Sequence, residues 1–588
     1  MKMKLKYYMS AILASSVLYA FAQQTDRNVT VEREYKPVIQ DAGKISQVPE
    51  VTTTDTRKAN AEYNEIELPM SMGQNIQILS AADLELEKRK DPAASFVRVG
   101  LGNYNINMLD FAMPLVRKAD MRLDLKANHF ATFGGKDHSN TNASMLFNTY
   151  LDKIELFAGL SGGYEYFNYY GKNFNALGQP IDLDSLKSNP NTVYTEQNML
   201  RISRNATDAK LSTLQNAPTW NDVWRFNTYF GVRSKEDAKG LRYEASINYN
   251  RSDTRLGLIE DKLYTKAGFS NANGKDRMGM DIELQNMFYS SDKLTDSMNV
   301  WDSYSVFSMN PYYSFERANW KVRLGVKTSF SFVYGKPFSP SPDIFAEWQA
   351  VPEWFAVYGG LTGGYKINSQ DVAVSENRYI YPDLRLLDTY TPFYLYAGIK
   401  LKPVYNLLID AYLSYRYIDQ QYFFVNKSYT TPTSTSGYTD EKTLYTNMYN
   451  AVYSSASLVN IGLRANYNIR NTLNLQLKTV FNNWKTFDTE MAWMKPKFET
   501  DITGEYRISR GLNVNASLYY CGERYAKLGT LNMRMKPYLD VNTGVSYTLD
   551  NWLTLFIKAN NIFNANYDEF YGYRTQGLNY MFGASFAF

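Results

Sequence analysis
From Ser95 to Phe588 apolar and polar side chains alternate in runs of about ten residues, a period of two that marks extended strands with one apolar and one polar face. In Trp320–Phe332, Val322, Leu324, Val326, Thr328 and Phe330 oppose Lys321, Arg323, Gly325 and Lys327. The closing stretch, residues 576–588, sets Leu578, Tyr580, Phe582, Ala584, Phe586 and Phe588 against Asn579, Met581, Gly583, Ser585 and Ala587. A soluble sheet would leave such a strand as an exposed, aggregating edge. A barrel closed in a lipid bilayer removes the edge and covers the apolar face with lipid.

Counting such runs predicts about 22 strands, and an even number puts both termini at one end of a barrel. The first is Val97–Asn103 and the last is the closing stretch; between them lie Asp343–Val351, Tyr405–Tyr417 and Ser457–Asn468. The expected fold is all-β: a transmembrane antiparallel β-barrel over residues 95–588, preceded by a short periplasmic segment, residues 23–94. Connections support it independently. Tight turns such as Arg117–Asp120, Leu151-Asp152 and Asp550-Asn551 alternate with long ones at about 170–221, 368–390, 418–456, 486–496 and 522–536. That is the pattern of short periplasmic turns and long external loops. Trp320, Trp354 and Trp552 each follow a tight turn, where an aromatic girdle meets the membrane interface. A soluble propeller would repeat a blade motif at fixed period, and the chain has none.

Lys2, Lys4 and Lys6, an uncharged run Tyr7–Tyr19 and the small-x-small site Ala20-Phe21-Ala22 read as a secretory signal peptide, residues 1–22. The run is too short to span a bilayer as a helix. Mean hydropathy of −0.42 does not argue against a membrane protein here, because only alternate residues of a barrel face lipid. The single cysteine, Cys521, rules out an intramolecular disulfide. No metal-binding, phosphate-loop or catalytic motif stands out, so the chain reads as a non-enzyme without cofactor.

The polar faces assign lumen-facing candidates: Arg122, Asp124, Lys126, Asp281, Glu283, Lys321, Arg323, Lys327, Asp410, Arg416 and Arg464. Facing lipid, an Arg or Lys at mid-plane would cost about 2–4 kcal/mol. Lys321, Arg323 and Lys327 form the densest basic stripe, open to neutralisation by carboxylates on neighbouring strands. The long loops at about 170–221 and 418–456, rich in Asn, Thr, Ser and Tyr, read as solvated lids before glycan-binding surfaces.

Lys558-Ala-Asn-Asn-Ile-Phe-Asn564, Asn566-Tyr567, Gly572-Tyr573-Arg574 and the aromatic last strand resemble the C-terminal barrel signature of the TonB-dependent receptors of Gram-negative outer membranes. The resemblance covers residues 95–588 and implies a 22-stranded outer-membrane barrel for solute uptake. It also implies an assembly signal in Tyr580, Phe582, Phe586 and Phe588, read by the barrel-assembly machinery. The front departs from the family: residues 23–94 show none of its plug motifs, and Val29, Thr30 and Val31 are the candidate TonB-box-like segment. The expected partners are outer-membrane lipid, the assembly machinery, and TonB or another outer-membrane or periplasmic protein; nothing indicates nucleic acid. Two alternatives to a transporter follow from the reduced front: a structural or accessory subunit of a multiprotein outer-membrane complex, and a passive porin.

Overall fold
The computed structural model describes residues 95–181, 195–196, 218–235, 240–255, 258–290, 302–382, 384–431, 442–470, 472–550 and 552–588. The segment expected to be periplasmic, residues 23–94 with Val29–Val31, and the expected signal peptide lie outside the described residues. A single antiparallel wall of 22 strands closes on itself. At the seam the first strand, Phe96–Gly102, pairs with the last, Asn579–Ala587, in the register Val97↔Phe586 to Gly102↔Met581. Ser95 and Phe588 lock its end by exchanging N–H···O bonds of 2.9 Å in both directions. Among the described residues no helix is long and apolar enough to cross a membrane.

The alternation read from sequence has a physical outcome on each strand. Leu324 and Val326 are 46% and 51% exposed on the outer face, as are Leu395 and Leu413 at 54% each and Ile557 at 63%. These residues form the lipid belt, where exposure to solvent in the isolated chain is exposure to hydrocarbon in the bilayer. Trp320, Trp354, Tyr405 and Trp552 ring the end that carries the termini; Trp224, Phe332, Phe338 and Phe563 lie outward toward the opposite end. Inside, rings lie flat on the wall over glycines of the next strand: a Cβ on Gly398 would stand 2.4 Å from the Tyr358 ring, and one on Gly462 would stand 2.2 Å from Tyr412.

Turns at the terminal end are short. The tight first turn at the opposite end, residues 103–105, is explained by Tyr104 and Asn105, both at positive φ (55° and 50°), which bring the Ile106 N–H back to Asn103 O at 3.1 Å. Three parts of the wall differ from the sequence expectation. Strand Phe338–Val351 begins five residues earlier than its polar start suggests. The strands expected at Tyr405–Tyr417 and Ser457–Asn468 are Leu407–Thr431 and Lys442–Ile469, of 25 and 28 residues. Residues expected to form a long loop thus continue the ladder far past the bilayer, after a register shift between Ile418 and Gln421. The loop expected at 522–536 is a hairpin, Arg524–Leu528 with Leu531–Met535.

Candidate functional site: the closed mouth of the barrel
At the long-loop end the described parts of the connections pack on each other. The central piece joins strands Phe355–Lys366 and Thr389–Val404. It carries one short helix, Gln370–Glu376, and runs on through Tyr379, Ile380 and Tyr381. The stretch mixes Val372, Ala373, Val374, Tyr379, Ile380, Leu384 and Leu386 among polar residues. A solvated lid has no use for that apolar content, and Ala373, Val374, Tyr379, Ile380, Tyr381 and Leu386 are all buried. The long connection expected at about 368–390 is therefore not an open loop: the segment forms part of a core.

This segment crosses the mouth. It leaves the thirteenth strand and meets the fifth, Ile154–Asn168, where Tyr169 just beyond the strand end donates to Ile380 O at 3.0 Å. On the other side it meets the hairpin Asp568–Phe570 and Tyr573–Arg574, before the last strand. The Tyr379 ring stacks on Tyr573 with centroids 3.6 Å apart, and Phe167, Tyr170 and Phe570 meet it edge-on at 5.8–6.2 Å. A short ladder fixes the middle: Tyr381 N–H donates to Tyr449 O at 2.8 Å, and Tyr449 N–H donates to Tyr379 O at 2.9 Å. The segment is a crossbar. Behind it the extended strands pack their other face, Phe423, Val425 and Ala456, on Trp493.

Charged and polar latches tie the crossbar to the wall. The helix lacks a side-chain cap of its own; the Glu260 carboxyl accepts the Gln370 N–H at 3.0 and 3.1 Å and satisfies that free donor at the helix start. Arg225 bridges the crossbar's Asp371 (2.9 Å) and the wall's Glu165 (2.8 Å), and Arg378 lies 3.9 Å from Glu165. Burial lowers the Arg378 guanidinium to about 10. Glu376 pairs with Lys495 and accepts from the Tyr422 hydroxyl. Burial pushes the Glu376 carboxyl up, but these partners outweigh it and hold the group below its ordinary value. At the returning end Asp388 accepts from Tyr304 at 3.0 Å and Tyr365 at 2.8 Å. Burial raises the Asp388 carboxyl above its ordinary value, against those two hydroxyls and the Asn368 N–H.

The candidates named from sequence stand on the wall, on the face opposite the lipid belt. Arg323 reaches Asp343 at 3.0 Å and Asp281 at 3.7 Å; Lys327 reaches Asp343 at 3.2 Å. Lys321 lies in register with Glu316 and Glu347. The basic stripe is thus neutralised strand by strand. Asp410 accepts from Tyr358 at 2.7 Å and pairs with Arg464 at 3.4 Å, and Arg416 donates to Asn460 at 2.9 Å. Arg122 pairs with Asp124 at 2.7 Å, Lys126 is exposed two residues on, and Glu283 lies opposite Lys266. None of these residues belongs to the crossbar. Tyr580, Phe582, Phe586 and Phe588 lie outward on the last strand, 40–62% exposed. Among the described residues no His, Cys, Asp and Glu are grouped to hold a metal.

No family model and no curated protein matches the chain. Solved structures do. It resembles the FrpB iron transporter of Neisseria meningitidis (9% identical, TM-score 0.58, over 85% of this chain and 83% of that one). It resembles the ferric-catecholate import receptor Fiu of E. coli K12 (9%, 0.57, 85% and 83%). It also resembles the ferripyoverdine receptor of the Pseudomonas aeruginosa outer membrane, solved with ferripyoverdine bound (12%, 0.59, 85% and 72%). The chain is a closed antiparallel β-barrel. At these identities the likeness is one of fold, and the fold is that of the TonB-dependent receptor barrels its C-terminal motif resembles.

Proposed function
We propose that this outer-membrane barrel is a receptor or transporter for a solute, and that the described state is closed at the outer mouth. The observation that carries the reading is the crossbar: a packed core built across the mouth of a barrel with the fold of iron and siderophore importers. A purely structural ring has no need of a latched core across its opening. The wall beneath it presents paired charges and phenol rings, a surface that water and polar solutes wet. In this reading residues 1–22 are a signal peptide and 23–94 a periplasmic segment. Val29–Val31 offers an extended stretch to TonB or another periplasmic protein, and the protein is not an enzyme.

The test uses the full-length protein in planar bilayers and in vesicles, with ferric siderophores and oligosaccharides as probe solutes. Solute binding or gated current is expected. Neither binding nor conductance under any voltage or ligand would overturn the reading. Gentle detergent extraction separates the accessory alternative, since a transporter survives as an active barrel without a stoichiometric partner.

A further inference from the structure
The crossbar's returning end holds a group that the closed mouth alone does not explain. The Arg385 guanidinium carbon lies 3.9 Å from the Tyr334 ring centroid, 4.6 Å from Tyr289 and 5.0 Å from Tyr304. The three rings form a cage: Tyr289 and Tyr304 are parallel within 8° at 6.4 Å, and Tyr334 meets Tyr304 edge-on at 5.1 Å. Asp388, bound by Tyr304 and Tyr365, adds a carboxylate beside them. Aromatic faces around a fixed negative charge are the composition that holds guanidinium and alkylammonium groups.

The cage and its occupant come from different parts. Tyr289 ends strand Asp276–Ser290, Tyr304 begins Tyr304–Glu316, and Tyr334 lies in the turn after Trp320–Phe332. That turn is held by Gly335 at φ 84°, where a Cβ would stand 2.0 Å from the Tyr365 hydroxyl. Asp388 adjoins strand Thr389–Val404. All four are therefore fixed on or beside the wall, whereas Arg385 rides on the crossbar. The crossbar is built to leave. Asn368 Oδ1, Gln370 Oε1 and Asn377 Nδ2 are buried in it without a hydrogen-bond partner, so release to water recovers what burial costs them. Register shifts at Thr362/Gly364 and Tyr390/Phe393 interrupt the ladder at both its roots, where the strands can bend.

We propose that Tyr289, Tyr304, Tyr334 and Asp388 are a binding site for a guanidinium or alkylammonium group, filled in the closed barrel by Arg385, so that a cationic solute competes with Arg385 and frees the crossbar. The competition rests on the reading of the barrel as a solute passage; the site itself does not.

Two measurements test it, with agmatine as probe and heat-modifiable migration as the check on folding. Calorimetry on Arg385→Ala, whose cage is vacated, should show saturable agmatine binding. Adding Tyr334→Leu or Tyr304→Leu should weaken it about tenfold or more. No binding to Arg385→Ala, or binding indifferent to both tyrosine changes, refutes the site. In planar bilayers agmatine on the outer side should raise the wild-type open fraction several-fold, and glutamate should not. Arg385→Ala should be open without agmatine and unmoved by it. Binding with wild-type current unmoved by saturating agmatine refutes the competition. Calorimetry needs no passage through the barrel, so it tests the site even where the transport reading fails.

Discussion

Wall and crossbar use the same aromatic-rich composition in opposite ways. The wall turns its large apolar side chains outward: Phe230, Leu395, Ile461 and Phe582 are each more than half exposed. The outer cap, which is the crossbar with the loops and strand ends packed on it, hides them. Trp493, Tyr379, Tyr429, Tyr449, Tyr573, Phe167, Phe423 and Phe424 are among the most deeply buried large side chains, and all belong to the cap or to the strand ends that meet it. Lipid completes the wall, so its strands need one apolar face and a closed ladder. The cap stands in water and must bury its own apolar surface, as a small soluble domain does. The two parts therefore obey different stability rules, and substitutions can separate them.

The sharpest break is at the seam. Removing residues 579–588 strips the first strand of its partner and opens two edges inside hydrocarbon, where unsatisfied backbone groups cost several kcal/mol each. The expected result is no heat-modifiable barrel in the outer membrane, and Phe588→Ala should lower assembly in the same direction. Normal barrel in the deletion mutant would refute the closed-wall account. A smaller effect separates the two faces of one strand. Ile502 is 40% exposed on the lipid side, and Thr503 next to it lies in register with Gln476 and Ser517. Ile502→Arg should cost about 2–4 kcal/mol in denaturant-induced unfolding from vesicles, and Thr503→Arg under about 1. Equal costs would show that the two faces are not distinct.

The cap should yield without the wall. Tyr379→Ala removes the ring that stacks on Tyr573 and meets Phe167, Tyr170 and Phe570. Loss of a buried aromatic costs about 3–5 kcal/mol, here confined to the cap. Limited proteolysis should then cut within residues 367–388 at least tenfold faster, with heat-modifiable migration unchanged. Loss of the barrel itself would mean that cap and wall fold as one unit.

This division also explains what can be read from the chain. Each wall strand is legible locally, because one face meets lipid and the other meets the lumen; Lys321, Arg323 and Lys327 against Leu324 and Val326 need no distant information. The extended strands lose that contrast beyond Ile418. There Tyr422, Phe423, Phe424 and Val425 are all buried, because the cap covers one face and the 487–495 stretch the other. A strand buried on both faces is a continuous apolar run with no period to read. The crossbar escapes a sequence reading for a related reason: its partners, Glu165, Arg225, Glu260, Tyr304 and Tyr449, are scattered over most of the barrel sequence. Its one local signal is the apolar content of 372–387, which a solvated lid would not carry.

The gentlest probe of the contrast is acidity, because two carboxylates that latch the crossbar, Asp388 beside the wall and Glu376 on the crossbar itself, respond to it in opposite directions. Asp388 faces Tyr304, Tyr365, Arg385 and the Asn368 N–H, and burial raises it in the closed state above its ordinary 3.8. The closed form therefore binds that proton more tightly than an open one. Its contribution to closure is complete below the ordinary value and is lost as pH rises through the raised one. Glu376 faces Lys495, Tyr422 and Lys366, and is lowered in the closed state from its ordinary 4.5. Its contribution is complete above that value and is lost as pH falls through the lowered one. Acidifying from neutral should first tighten the crossbar and then, below the ordinary carboxylate range, loosen it. Open fraction against pH should pass through a minimum on the acid side of neutral. Asp388→Asn should flatten the descending limb, and Glu376→Gln should remove the rise at low pH. A profile that both substitutions leave unchanged would mean that Asp388 and Glu376 do not set the crossbar's closure.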